Sequence, residues 1–370
     1  MVASEERRLK HAIIGVGAGV LSMHRAALAL PTVNLVAASD IDTIRGQERA
    51  NELGCAFYAD YCQLLRETQP EVVIVMTPHP FHARIAIDCL NAGAHVLVEK
   101  PMAVQVAEAD EMIKVAKQNQ RLLGVCFQQR WRSPIRTAHK LIQEGRLGDI
   151  QRVEMSVMWT RPASYFQQAG WRGTWKGEGG GVLMNQAVHN LDAICYLMGA
   201  PERVFAWTRT RLHHIETEDT AHASMEWSGG ALGYIHISTA EADQPKERLK
   251  IAGTAGSIEI SGKEMTMEVL DPELKEFIAT SPKPFSAPAS HAVAVELEPG
   301  EGTHESVYRA FHQSILDGDP FPIANEQGLM ALELANAMIY SNYTHAEVNL
   351  PLDRQKYGEL LARLQEGTLK

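Results

Sequence analysis

Through the first 127 residues, short runs that are apolar at every position alternate with longer runs of helical spacing, and this alternation admits few folds. His11 to Gly15, Leu35 to Ser39, Val72 to Met76, His95 to Val98 and Leu122 to Phe127 read as strands. Between them, Val20 to Leu30, Arg45 to Leu53, Phe81 to Asn91 and Ala107 to Asn119 read as helices, the first three stopped at or near Pro31, Gly54 and Gly93. A strand that is apolar on both faces must be covered on both faces. That is the pattern of βαβ units in a parallel sheet, so the expected class is α/β.

The pattern changes after Gln128. Pro134 to Glu144 reads as one more helix, ended by Gly145. Half-buried alternation follows over Gln151 to Trp159, Arg203 to Arg211, Ala221 to Trp227, Ala231 to Thr239, Leu249 to Gly253 and Ser257 to Ser261, as expected of mostly antiparallel strands. A helix at about Asn185 to Met198 interrupts them. Ser281 through Pro288 reads as an exposed loop, and His304 to Leu316 and Glu326 to Tyr340 as helices. A chain of 370 residues exceeds one average core, so two domains are expected, 1–128 and an α+β domain over 129–370.

The formal net charge of −10, with charges interspersed, argues against nucleic acid as a main partner. Cys55, Cys62, Cys89, Cys126 and Cys195 form no CxxC pair and suit reduced thiols better than a disulfide framework. Met1 to Lys10 is charged and lacks an apolar core, and no apolar run approaches the ~20 residues of a membrane span. The expectation is a cytoplasmic protein with no membrane partner.

Gly15-Val16-Gly17-Ala18-Gly19 follows a strand and opens a helix. Glycines there let backbone amides approach a pyrophosphate, and the helix N-terminus favours its charge. The spacing departs from GxGxxG because the third glycine is Gly19 and Val20 stands where it would be expected. Asp40 closes the second strand, where an acidic residue accepts bonds from the adenosine ribose and repels a 2′-phosphate. NAD is therefore expected over NADP, although Arg45, a turn later, keeps NADP possible. The structural alternative for Asp40 is a helix N-cap.

Glu71-Val-Val-Ile-Val-Met-Thr77-Pro78-His79-Pro-Phe-His82 and His95-Val-Leu-Val-Glu99-Lys100-Pro101 are far more specific. With the glycine turn, Gly124 to Arg130, Trp171 to Trp175, Gly179 to Gly181, Asn185 to Asp192 and Leu249 to Ser257, the chain resembles the glucose–fructose oxidoreductase and inositol dehydrogenase (Gfo/Idh/MocA) family over nearly its whole length. The resemblance implies a Rossmann domain followed by a domain on a large open sheet, whose outer face packs a second subunit in a homo-oligomer (dimer or tetramer). It implies hydride transfer between nicotinamide and a secondary alcohol of a sugar, cyclitol or related molecule. It also implies cofactor contacts from Val20, Ile41, Thr77, Pro78, His82, Glu99, Lys100, Gln128, Trp171 and Arg172.

A secondary alcohol gives up hydride readily only as its hydroxyl proton leaves, so a base is required. The resemblance assigns that work to Lys100, at the carboxyl end of a parallel strand, and to His189, with Glu99 orienting Lys100. Asn185 stands where many relatives carry Asp; four residues before His189 on a helix, it would share that residue's face but offer no charge. Gln129, Arg130, Arg161, Tyr165, Trp171, Arg172, Trp175 and Lys176 are candidate substrate contacts, polar groups interleaved with flat rings. No metal site is expected: His213-His214 with Glu216 and Asp219 lacks a ligand spacing and reads as a loop or subunit contact, and His304 and His312 need no function. Two other functions stay open. One is an NAD-dependent glycosidase acting by transient ring oxidation; the other is a cofactor-binding regulator without turnover.

Overall fold

The apolar runs of the first third become strands buried on both faces. The computed structural model describes residues 7–17 and 19–369. Ala18, expected at the cofactor, lies outside the described residues. Strands β1 (Leu9–Ile14), β2 (Val33–Ser39), β3 (Ala56–Tyr58), β4 (Val72–Val75), β5 (His95–Val98) and β6 (Leu123–Val125) form a parallel sheet in the order β3-β2-β1-β4-β5-β6. Val72 to Val75 and Val96 to Val98 are fully excluded from solvent. The chain runs outward from β1 to β3 and returns to β4 on the other side of β1. This reversal opens a crevice at the carboxyl ends of β1 and β4, where such sheets place their ligands.

The chain divides into two units. The first holds the chain up to Gln128 together with 176–179 and 303–332; the second holds 129–175, 180–302 and 333–370. The stretches 176–179 and 303–332, expected in the second domain, therefore belong to the first. Packing explains the longer one. A Cβ at Gly124 of β6 would stand 2.5 Å from the Phe321 ring and 3.1 Å from Phe311, so the returning segment lies flush on the sheet.

The second unit is built on β7 (Ile150–Met158), β8 (Arg203–Arg209), β9 (Thr220–Glu226), β10 (Leu232–Ser238), β11 (Glu247–Gly253), β12 (Gly256–Ser261), β13 (Glu264–Asp271), β14 (Ala289–Val293) and β15 (Val348–Asn349). These form one open sheet, β14-β13-β12-β11-β7-β10-β9-β8-β15, antiparallel throughout except where β10 runs parallel to β7. Its buried face carries Val153, Ala206, Ala223, Ile235, Ile237 and Ile251; the other carries Trp207, Leu232 and Tyr234, each well exposed. The helix Val188–Met198 is buried over most of its length. No helix among the described residues is long and apolar enough to cross a membrane, and the five cysteines are free thiols.

Candidate functional site

In the first unit the site begins with Gly15, at φ +97°. A Cβ there would lie 2.8 Å from both the Met76 carbonyl carbon and the Thr77 nitrogen, so only glycine lets β1 end against the end of β4. A Cβ at Gly19, by contrast, would meet nothing within 4 Å. Val20 leads into the helix Leu21–Leu28 without a side-chain cap, and the Ser22 and Met23 amides turn back onto the Gly19 and Val20 carbonyls at 3.3 and 2.9 Å.

Asp40 turns onto the glycine turn. Its Oδ2 accepts from the Gly17 amide at 2.7 Å and its Oδ1 from the Asp42 amide at 2.9 Å. The N-cap of the helix Thr43–Leu53 is Asp42, not Asp40, with the Arg45 amide donating to it at 3.0 Å. Ile41, beside it, is almost wholly exposed. At the ends of β4 and β6, Thr77 Oγ1 and Gln128 Oε1 are buried without a hydrogen-bond partner among the described residues. A tight glycine turn, an uncapped helix start, a carboxylate beside it and unsatisfied buried oxygens at the carboxyl edge fit a bound dinucleotide.

His82 is fully buried, with Nδ1 2.8 Å from the Pro101 carbonyl and Nε2 2.7 Å from the Thr77 carbonyl. It ties the loop after β4, which carries Pro78, to the loop after β5. Burial lowers its pKa against the pull of those carbonyls. His79 Nδ1 lies 3.2 Å from the Glu178 carbonyl. Lys100, half-buried, follows β5, and its own amide donates to Glu99 Oε2 at 3.2 Å.

Glu99 is anchored by residues that the sequence leaves unmarked. His24 Nε2 and His304 Nε2 donate to its Oε1 at 2.9 and 3.1 Å, and the Tyr308 hydroxyl stands 2.9 Å from His24 Nδ1. Burial opposes the ionised carboxylate, but the two imidazole donors prevail and hold Glu99 well below the usual carboxylate range. His24, Glu99 and His304 also converge closely enough to hold a cation. The hydrogen bonds place every one of the named protons without one: Nε2–H of each imidazole donates to the carboxylate, and His24 Nδ1 accepts from the phenol. His304, expected to need no function, thus bears on the residue next to Lys100.

In the second unit only His189 of the expected pair stands on the helix. The helix begins at Val188, and Asn185 lies in the preceding turns, its amide donating to the Gly181 carbonyl at 3.0 Å. The Val182 carbonyl takes the Ala187 amide, five residues on, so regular α-helical register starts only afterwards. His189 is almost fully buried.

Tyr165, Trp171 and Arg172 gather with Gln186. The Arg172 guanidinium donates to the Tyr165 hydroxyl and lies 4.3 Å from that ring's centroid and 5.0 Å from that of Trp171. Gln186 Nε2 donates to the same hydroxyl at 2.9 Å. Gln186, within the Asn185 to Asp192 stretch and unmarked by the sequence, belongs to this cluster. Arg161 stands 5.4 Å over Tyr165, and Gln129 accepts from Arg132 at 2.9 Å.

Three other candidates stand apart from this cluster. Arg130 is buried in a bidentate pair with buried Asp192, at 2.6 and 2.9 Å, and serves the core. Trp175 is packed inside the second unit, whereas Lys176 is exposed and belongs to the first. His213 is a loop residue as expected, with Nδ1 3.0 Å from Asp219 and Nε2 2.7 Å from the Arg161 carbonyl.

Residues 9–127 match the oxidoreductase family with an NAD-binding Rossmann fold, and residues 135–259 match the GFO/IDH/MocA C-terminal domain. The chain is 28% identical over 280 residues to scyllo-inositol 2-dehydrogenase (NADP(+)) IolW of Bacillus subtilis, covering 74% of this chain and 76% of that one. It is 24% identical over 311 residues to myo-inositol 2-dehydrogenase of Thermotoga maritima, covering 82% and 87%. Among solved structures, the WlbA dehydrogenase of Chromobactrium violaceum, in complex with NADH and UDP-GlcNAcA, superposes with a TM-score of 0.81 at 30% identity, covering 95% of this chain and all of that one.

Proposed function

From the premise that this chain belongs to the GFO/IDH/MocA oxidoreductase family, we propose that it moves hydride between NAD(P) and a secondary alcohol of a sugar, cyclitol or sugar derivative. The observation that carries the substrate class is the cluster of Tyr165, Trp171, Arg172 and Gln186 in the second unit: flat rings, a guanidinium and an amide, half-buried or buried, which suit the face and the hydroxyl edge of a saturated ring. Relatives that act on inositols, and one solved with a UDP-sugar, support it.

NAD(P), when bound, supplies the hydride acceptor or donor. Gly15, Gly17, Gly19 and the start of the helix Leu21–Leu28 receive the pyrophosphate, and Asp40 the adenosine ribose. Lys100, presented after β5 and fixed through Glu99, and His189 hold and move the hydroxyl proton of the alcohol. Asn185 serves as a neutral, hydrogen-bonding neighbour. The outer face of the second unit's sheet, with Trp207, Leu232 and Tyr234, packs against a second copy.

A panel of inositols, hexoses, anhydrosugars, UDP-sugars and aryl glycosides, incubated with NAD and with NADP, tests the reading through reduced-cofactor absorbance. Reduction with an alcohol of the panel supports it. Glycoside cleavage without net cofactor reduction would put a glycosidase in its place, and cofactor binding with no turnover of any member a regulator.

A further inference from the structure

Glu216, Thr217, Glu218 and Asp219 lead into β9, and each of the three carboxylates faces backbone amides of a different loop of the second unit. Glu216 Oε2 accepts from the Trp175 amide at 3.0 Å, while the Glu216 amide donates to the Gly173 carbonyl at 2.8 Å. Glu218 Oε1 accepts from the amides of Gly181 and Leu183 at 2.8 and 3.1 Å, and the Glu218 carbonyl takes the Val182 amide at 2.9 Å. Asp219 accepts from the amides of Arg211, Leu212 and His213 at 2.8, 3.0 and 3.2 Å. Through His213, which also bonds the Arg161 carbonyl, it reaches a fourth stretch.

Glu218 and Asp219 are buried. A buried carboxylate aimed at two or three amides makes charge-assisted bonds, roughly twice as strong as neutral ones. The fit around Glu218 is close enough to dictate sequence, since a Cβ on Gly181 would lie 1.9 Å from the Glu218 carbonyl oxygen. The turn held this way runs directly into Asn185, Gln186 and His189, because the Asn185 amide bonds back to Gly181. The stretch held by Glu216 carries Trp171 and Arg172, and the one reached through His213 carries Arg161.

We infer that Glu218 is a positioning residue for the Asn185–His189 turn, and that Glu216 and Asp219 do the same for the Trp171–Trp175 and Arg211–His213 loops, so that three acidic residues just before one strand set the substrate side of the site. The link to substrate rests on the function proposed above; the link to the loops does not.

Amide hydrogen exchange of the full-length chain, read by mass spectrometry without substrate, tests the two separately. Glu218→Ala is expected to speed exchange of the amides at 181–187 by about tenfold or more, with Glu218→Gln in between because its amide oxygen still accepts. Exchange at 211–213 should stay at the wild-type rate. Asp219→Asn should give the converse. Equal acceleration in both loops, or none in either, overturns the inference, and Glu218→Gln decides it should the alanine variant fail to fold. NADH affinity, read by fluorescence titration, is expected to be unchanged in Glu218→Gln, while kcat falls on the alcohol the panel identifies. A weakened NADH with kcat preserved would overturn the assignment to the substrate side. Loop-selective exchange with no panel turnover would uphold the positioning and reject the proposed function alone.

Discussion

Lys100 and Asp40 are the residues at which the proposed chemistry and the cofactor are tested most directly. Lys100→Ala removes the amine presented after β5 but leaves Glu99 with its imidazole donors, so the fold should survive. Turnover of the panel's substrate should fall by about 10²–10⁴-fold, the scale of general acid–base catalysis, with NADH still bound. Wild-type turnover in the variant would remove Lys100 from the mechanism. Asp40→Ala takes away the acceptor of the Gly17 amide as well as a charge that repels a 2′-phosphate. NADH affinity should drop by about tenfold and NADPH affinity by less, as a pair of fluorescence titrations would register. An acidic residue after the second strand is legible in a sequence. That it also braces the glycine turn is not, because nothing in residues 15–19 shows which amide turns back towards β2. Glu218 escapes sequence reading for a similar reason: among three acidic residues in four, only the fold tells which loop each one faces.

The helix His304–Asp317 shows what an element adds that a residue list does not. His304, Tyr308 and His312 recur every four residues and form one stripe, which meets His24, Glu99 and His11 in the first unit. His11 Nδ1 donates to the Leu9 carbonyl at 2.8 Å, so its Nε2 must accept from His312 Nε2–H at 2.9 Å, and His312 Nδ1 accepts from the Thr32 hydroxyl at 2.8 Å. Both imidazoles are therefore neutral. Burial takes His11 down to about 4, and burial together with His11 takes His312 down to about 3. The unfolded chain binds these protons near pH 6.5, the folded one only near pH 4 and below. Stability from this pair is thus complete above pH 6.5 and is lost as the pH falls towards 4, by about 3 kcal/mol for His11 alone at the lower value. Melting temperature should be flat in this respect above neutrality and decline below it, and His312→Leu should flatten the decline. An acid slope as steep in the variant as in wild type would mean that the pair does not control it. The sequence displays this stripe as well-spaced histidines, but their partners lie 205 to 301 residues away, beyond any periodicity argument. The buried strands of the first sheet were legible because full burial writes an unbroken apolar run. β3 and β13, partly exposed, write no such pattern, and neither does the two-residue β15.

At the scale of the whole molecule, the large sheet of the second unit has a face that no layer of the described residues covers. Trp207 on β8 stands opposite His222 on β9, which pairs with His236 on β10, so aromatic and imidazole rings run across three strands; Tyr234 and Leu232 continue the apolar area along β10. Towards β11 and β12 the same face turns polar, with Arg248 on Glu259 at 2.7 Å. An apolar area with a charged border is the make-up that the proposed contact with a second copy calls for. The alternation of β8 to β10 was legible in the sequence, but its outward positions set Trp207, Leu232 and Tyr234 among the charges of Arg203, Arg209 and Glu226. If the face pairs two copies about a two-fold axis, each substitution enters the interface twice. Tyr234→Glu then brings two carboxylates into the apolar area, each without a partner, at several kcal/mol of association energy. Sedimentation should find the wild-type chain well above its 40.9 kDa monomer mass and the variant at it, with melting of the isolated subunit little changed. A variant that sediments with wild type would place the assembly elsewhere on the molecule, and would leave the rings of β8 to β10 facing water for a reason other than self-association.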